Sequence, residues 1–376
     1  MRSLRTNLLV VSASVLALFT ILEIALRIAG QPIGARTDPI SPFGPRYLPR
    51  SPFVNAEENT VRGRMNDLGF HDRLPAFDAD PRRRRIAFFG DSFVEALQVE
   101  ADSTFASRLE DLANASGLPL EAAAFGISGS GADQSLFRCR HALLQSRLDD
   151  VVYVFFVNDF FDGFLVDQKP PSWPFLERAE SGAVFFSGAH QPDRGARSVR
   201  SILKPLLKEM YLPSFVSYRL HIARTRGEAE RGRFRDATGD SILGLFYLGD
   251  AVPARHLAAT AHWEEVVRYW RRLCAASGVV FRVLYIPPVW EADDSTFAAV
   301  FGGRIPRHGI SERMATFCAE EGIPFLDPTA ALAASAGGRA RDLYWSHLND
   351  GGHRALAAFL LERLREEWGA GRPRPG

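Results

Sequence analysis

Lysine is almost missing from this chain. Lys169, Lys204 and Lys208 are the only lysines among 45 basic residues, and the rest of the positive charge is arginine. Against 44 acidic residues the formal net charge is +1. A chain with no surplus of either sign has no general attraction for a polyanion, so nucleic acid is not an expected partner. The arginine preference reads as compositional bias before phosphate recognition. "PRRRR" at Pro81–Arg85 reads as a solvated lead-in to a strand. Cysteine is scarce as well: Cys139, Cys274 and Cys318 form no C-x-x-C pair, and His and Cys do not cluster at zinc spacing. That excludes a disulfide framework and leaves three small buried apolar residues. Internal repeats and low-complexity tracts are absent, which excludes a solenoid.

Charge is also missing from one stretch of 17 residues, "TNLLVVSASVLALFTIL", which follows Arg2 and Arg5. Counted on to Ala29, a helix here is about 36 Å long at 1.5 Å per residue, enough to cross a bilayer. Glu23 and Arg27, spaced i,i+4, pair on one face near its end. The two arginines favour a cytoplasmic N-terminus and an exported C-terminal body. The expectation is therefore a signal-anchor over 1–30 in a bacterial inner membrane. A cleaved signal peptide and a buried soluble helix are the rival readings.

With 46% hydrophobic residues among 376, a sizeable core is expected. Residues 31–84 are rich in Pro, Arg, Asn and Asp, have no period of 2 or 3.6, and read as a stem lying over a domain surface. Within it "NDLGFHD" (Asn66–Asp72) is a turn carrying two plugs, Leu68 and Phe70. Strands then alternate with helices. Ile86–Phe89, "LEAAAFG", Val151–Val157, Gly278–Pro287 and Gly322–Asp327 read as strands. "STFASRLEDLANAS", with Ser103 as N-cap, "DQSLFRCRHALLQSRL", "HWEEVVRYWRRLCAAS" and the closing "GGHRALAAFLLERLREEW" read as helices. This predicts an α/β three-layer sandwich over 85–370 with a mostly parallel central sheet. An insertion at about 162–261 interrupts the alternation, and 371–376 is a tail.

In an open parallel sheet, sites gather at the carboxyl ends of the strands. The first strand stops at Gly90-Asp91-Ser92, the second at "FGISGSG" (Phe125–Gly131), and the third near Asn158-Asp159. Acyl transfer needs a nucleophile, a base and donors for the oxyanion. Ser92 on a tight strand-to-helix turn exposes its hydroxyl, Gly129 offers a backbone N–H, Asn158 a side-chain amide, and Ser92 its own N–H. An isolated Gly-Asp-Ser would be read as a mere helix cap. Asp91 and Asp159 read as structural.

"FFGDSF", "GISGSG", "VNDFF" and "HLNDGGH", in this order, resemble the blocks of the SGNH/GDSL hydrolase family. The match looks like its membrane-anchored bacterial subgroup, where a stem with an "N-x-x-G-F" turn precedes the domain. The resemblance implies a flavodoxin-like SGNH fold and a serine esterase or O-acyltransferase. It makes Ser92 the nucleophile, His347 the base, and Ser92, Gly129 and Asn158 the oxyanion hole. It implies no metal and no organic cofactor. The expected partner is a small-molecule or carbohydrate ester, with O-acetyl groups of envelope glycans suggested by the exported address.

One position departs from the family, which carries an Asp three residues, and sometimes two, before the catalytic His. Here Tyr344 and Trp345 stand there. Asp342 orients His347 if the loop is lengthened, or a main-chain carbonyl near Tyr344 does so and the site is a dyad. A second reading pairs Asp350 with His353 as the base on the last helix. A third is a decayed triad in a protein that binds a glycan or an assembly partner.

Overall fold

The computed structural model describes residues 2–29, 33–38, 41, 43–73, 82–162, 173–179, 181, 184–188, 210–230, 252–301 and 309–369. Most of the expected insertion, from 163–172, 189–209 and 231–251, and the 371–376 tail lie outside them.

Two-residue strands β1 (Thr37–Asp38) and β2 (Arg46–Tyr47) pair antiparallel, as do β3 (Pro52–Asn55) and β4 (Val61–Arg64). The central sheet is built from β5 (Arg84–Gly90), β6 (Leu120–Gly126) and β7 (Asp150–Phe155). After the hairpin β8 (Phe175–Arg178)–β9 (Val184–Ser187), β10 (Val280–Tyr285) and β11 (Phe325–Leu326) complete it. Its order is β11-β10-β7-β5-β6 with every pairing parallel. In chain order of the five strands this is 2-1-3-4-5, the flavodoxin-like order, whose switch point lies between β5 and β7.

Side chains on successive strand residues point to opposite faces, and helices cover both, so each strand is apolar almost throughout. Ile86, Phe88, Val152, Val154 and Leu284 face one layer. There they meet Phe105 and Leu109 of helix Phe105–Ala115 and Leu356, Leu360 and Leu364 of helix Asp350–Gly369. Ala87, Phe89, Val151, Tyr153, Phe155, Val283 and Tyr285 face the other, against Trp263 and Trp270 of helix Ala254–Ala276. All three cysteines are buried and free. Thr104, rather than Ser103, caps helix Phe105–Ala115, its hydroxyl accepting from Ser107 N at 3.3 Å. Ser103 instead ends the 3-10 turn Ala101–Ser103 before it.

The segment before β5 packs into the domain rather than lying on it. Tyr47, Phe53, Val61, Met65 and Phe70 belong to the core on the Trp263 side of the sheet. The "NDLGFHD" turn forms as expected: Asn66 Oδ1 accepts from Leu68 N and Phe70 N, both at 3.0 Å, and Phe70 is fully buried. At the N-terminus Thr6–Ala29 is a helix long and apolar enough to cross a membrane. Arg27 Nε donates to Glu23 at 2.7 Å, the expected i,i+4 pair.

Candidate active site

β5 ends at Gly90, and the chain turns at once into a helix of four residues, Ser92–Glu95. Asp91 caps it, with Oδ1 accepting from Phe93 N at 2.9 Å. The helix is closed by Ala96 in the left-handed region at φ 53°, its N–H on Ser92 O at 2.9 Å. The turn fits because the neighbouring strand ends without a side chain: a Cβ on Gly126 would stand 2.0 Å from Glu95 N. Glycine there lets β6 approach the Ser92 turn backbone to backbone. Ser92 thus stands at the carboxyl end of β5, beside the switch point.

His347 reaches Ser92 from the loop before the last helix. Its Nε2 lies 2.9 Å from Ser92 Oγ. Nδ1 hydrogen-bonds Glu58 Oε1, so Nδ1 carries the proton and Nε2 is the acceptor for the Ser92 hydroxyl. Glu58 also accepts from His347 N at 3.1 Å, Ser346 N at 3.3 Å and Ser346 Oγ at 2.8 Å. Burial opposes the Glu58 charge, yet these donors hold the carboxyl at about 2. Burial likewise opposes charge on His347, but the hydrogen bond to Glu58 and its negative charge hold the imidazole above its ordinary value. Phe93 packs edge-on against the ring at 4.9 Å between centroids.

The carboxylate beside His347 is therefore not Asp342. That side chain is 54% exposed and pairs with Arg339 at 3.3 Å. It sits in the 3-10 turn Ala340–Leu343, after which Tyr344 plunges into the core and donates to Pro287 O at 2.9 Å. The position where the family carries its acid is here a packing residue. No main-chain carbonyl is needed at Nδ1 either, since Glu58 occupies it. The Asp350–His353 pair does not form. Asp350 pairs with Arg108 and Arg354. His353 is fully buried, accepts from Phe105 N at 3.1 Å through Nδ1, and is driven down to about 3 by desolvation. Burial disfavours its protonated form and its Nδ1 lone pair is already taken by Phe105 N, so it is a poor acceptor for a proton from serine.

Gly129 lies in the turn after β6, at φ 71°, where glycine is favoured. Ser130 N closes this turn on Ile127 O at 3.1 Å, and Ile127 N donates to Gly90 O at 3.3 Å. Two buried charged groups fix it from behind. Glu95 accepts from Ser128 N at 2.9 Å, from Ser128 Oγ at 2.6 Å and from the Tyr47 hydroxyl. Burial pushes the Glu95 carboxyl up. Arg138 donates to Ser130 Oγ at 3.0 Å and Gly90 O at 2.9 Å, and desolvation pulls it down to about 9. Asn158, after β7, is joined to the Ser92 turn: Nδ2 donates to Asp91 Oδ2 at 3.2 Å, and also to Asp162 Oδ2 at 2.7 Å. Asp159 accepts from the Tyr153 hydroxyl at 2.8 Å and is structural. Of the expected residues, Ser92, Gly129 and Asn158 follow the neighbouring strands β5, β6 and β7, and His347 reaches Ser92 from the loop before the last helix.

Glu58, Glu95 and Arg138 were not singled out from the sequence. The signal for Glu58 is "NAEENT", a turn with two acids between "PFVN" and "VRGR", but nothing local says that its tip meets a residue 289 positions away.

No protein-family model matches the sequence, and no curated protein matches it. Solved structures do match. The psychrotrophic esterase EstA from Pseudoalteromonas sp. is 11% identical at a TM-score of 0.39, over 77% of this chain and 100% of that one. A GDSL-like lipase from Bacteroides thetaiotaomicron is 12% identical at 0.35, over 76% and 89%. A catalytic mutant of an acetylxylan esterase from Geobacillus stearothermophilus is 13% identical at 0.39, over 75% and 94%. Likeness at this level carries no argument about chemistry, which rests here on the geometry around Ser92. Two of these three solved structures are named as esterases and the third as a GDSL-like lipase.

Proposed function

We propose that this chain is a serine esterase or O-acyltransferase of SGNH type, working through an acyl-Ser92 intermediate. One observation carries the reading: Ser92 Oγ, His347 and Glu58 form a continuous hydrogen-bonded chain, with 2.9 Å between Oγ and Nε2. His347 takes the Ser92 proton as Oγ attacks the ester carbonyl, and Glu58 stabilises the imidazolium that forms. Ser92 N–H, Gly129 N–H and the Asn158 amide hold the oxyanion. His347 then protonates the departing alcohol. Water or a sugar hydroxyl gives its proton to His347 and attacks the acyl-Ser92 carbonyl, and His347 returns that proton to Ser92 Oγ as the serine leaves. Asn158 enters this step by turning an N–H from Asp162 or Asp91 toward the oxyanion.

The acyl group in this reading is small, an O-acetyl group on an envelope glycan. The apolar N-terminal helix holds the chain in a bacterial inner membrane with Arg2 and Arg5 inside and the catalytic body exported. The rival reading, an inactive binding protein of the same fold, drew on Tyr344 standing in place of the acid. Glu58 at Nδ1 removes that support.

A fluorophosphonate probe labels the wild type, and labelling disappears in Ser92→Ala together with hydrolysis of p-nitrophenyl acetate. Well-folded wild type that takes no label and turns over no ester refutes the proposal. Protease that reaches the body only from the cytoplasmic side refutes the topology.

A further inference from the structure

A triad acid usually sits on a strand end or on the loop that carries its histidine. Glu58 sits on the tip of a hairpin, the five residues 56–60 between β3 and β4, with Asn55 opposite Val61 as the last pair. Such a tip has no ladder of its own, and a carboxylate that must meet Nδ1 to within a fraction of an ångström needs outside support. Two struts supply it. On one side Asn59 Nδ2 donates to Gln98 O at 3.2 Å, and the Gln98 side chain donates to Leu348 O at 2.8 Å, next to His347. On the other side stands Tyr218, two turns into helix Tyr211–Glu230, more than 150 residues along the chain.

The Tyr218 hydroxyl accepts from Ala56 N at 2.7 Å and donates to Asn55 Oδ1 at 3.2 Å. Asn55 Oδ1 in turn accepts from Glu57 N at 3.4 Å. One phenol thus satisfies two groups of the tip, Ala56 N and Asn55 Oδ1, at the β3 end of the bend that leads to Glu58. Its ring is buried and leans on Gly34, where a Cβ would come within 2.9 Å of it. The helix that carries it is fixed at its first turn: Tyr211 N and Leu212 N donate to the two oxygens of Glu23, each at 2.6 Å. Arg27 lies over the Tyr211 ring at 5.6 Å. The apolar N-terminal helix, Tyr218 and the acid of the site are therefore joined by a short series of hydrogen-bonded contacts.

We propose that Tyr218 is a positioning residue for Glu58, acting on the reaction through the acid and not on substrate. This rests on the Ser92–His347–Glu58 reading above. The hydroxyl fixes the tip so that Glu58 keeps both its hydrogen bond to Nδ1 and its charge close to the imidazole. Without it the tip gains freedom, the mean field at His347 weakens, and the imidazole titrates lower.

Tyr218→Phe keeps the ring and removes the hydroxyl. It is expected to lower kcat/KM for p-nitrophenyl acetate by about three- to tenfold, the cost of a buried hydrogen bond. The acid limb of the pH profile moves to lower pH. In a Glu58→Gln background the same change costs nothing further, because a residue acting through Glu58 has nothing left to act on. Asn55→Ala, which removes the tip's own half of the contact, reproduces the pattern. Thermal melts identify any variant that loses activity through unfolding. A folded Tyr218→Phe with unchanged kcat/KM and acid limb overturns the proposal, as does an equal loss in the Glu58→Gln background. Ser92-dependent labelling alongside either result leaves the esterase reading standing and sinks the positioning role alone. Wild type that takes no label sinks both.

Discussion

Replacing Glu58 by glutamine preserves the size of the side chain and removes its charge, which makes it the sharpest test of the site. A carboxyl held at about 2 instead of its ordinary 4.5 is stabilised by about 3 kcal/mol relative to water. His347 shares that stabilisation with the Ser346 hydroxyl and the backbone donors, so it bounds the imidazolium's part at about 10²-fold in rate. The amide adds a second loss. It can turn its NH₂ toward Nδ1 and favour the tautomer with the proton on Nε2, where no proton can be taken from Ser92; in a comparable triad that substitution costs about 10⁴. Glu58→Gln is therefore expected to lower kcat on p-nitrophenyl acetate by between about 10² and 10⁴. The acid limb should shift down as well, because Glu58 holds His347 above its ordinary 6.5 and the base is active only when neutral. Asp342→Asn, at an exposed ion pair, should stay within about threefold of wild type. A Glu58→Gln enzyme with under about fivefold loss and an unmoved acid limb refutes the triad drawn here. The same pair governs stability in a definite window. The lowered Glu58 stabilises above its ordinary 4.5, and this is lost as pH falls toward about 2. The raised His347 stabilises below 6.5, and this is lost as pH rises through its folded value. Melts of wild type minus Glu58→Gln should thus differ most between about pH 4.5 and 6.5.

Two further substitutions test the packing around the site. Gly126→Ala puts a Cβ 2.0 Å from Glu95 N, a backbone atom that can yield only by moving the Ser92 turn. Its melt should fall by several degrees at about 3 kcal/mol or more, and fluorophosphonate labelling of the remaining folded protein should slow. A melt like that of wild type would contradict the close approach. His353→Ala leaves Phe105 N without its acceptor and opens a cavity, costing about 2–4 kcal/mol in denaturant titration. Corrected for folded protein, its kcat should stay within about threefold of wild type. Loss of turnover on the scale of His347→Ala would restore His353 as the base.

The chain announces its sheet and most of its site because the signals are local. Val151–Val157 is apolar on consecutive residues because both faces of β7 are covered, and that pattern is visible without the fold. Gly90-Asp91-Ser92 is a strand end and a cap within three residues. The acid is illegible for the opposite reason. Glu58 becomes a partner of His347 only after Phe53, Val61, Met65 and Phe70 have sunk into the core beside Phe125 and carried their hairpin across the carboxyl ends of the sheet. Proline, arginine and the lack of any period conceal this, since a segment with a few large plugs and no regular face looks the same whether it drapes over a surface or docks into it. The departure at Tyr344 was the clue that the acid lay elsewhere. Tyr344 is buried and bonded to Pro287 O, so that position serves packing, and the partner His347 has at Nδ1 is Glu58. Moving the acid to the hairpin changes what the site depends on. Ser92, Gly129 and Asn158 are placed by the sheet, but the carboxylate that would activate His347 in the proposed reaction is placed by the segment that leads in from the N-terminal helix. In the proposed site the docked lead-in therefore governs the basicity of His347 and leaves Ser92, Gly129 and Asn158 where β5, β6 and β7 put them.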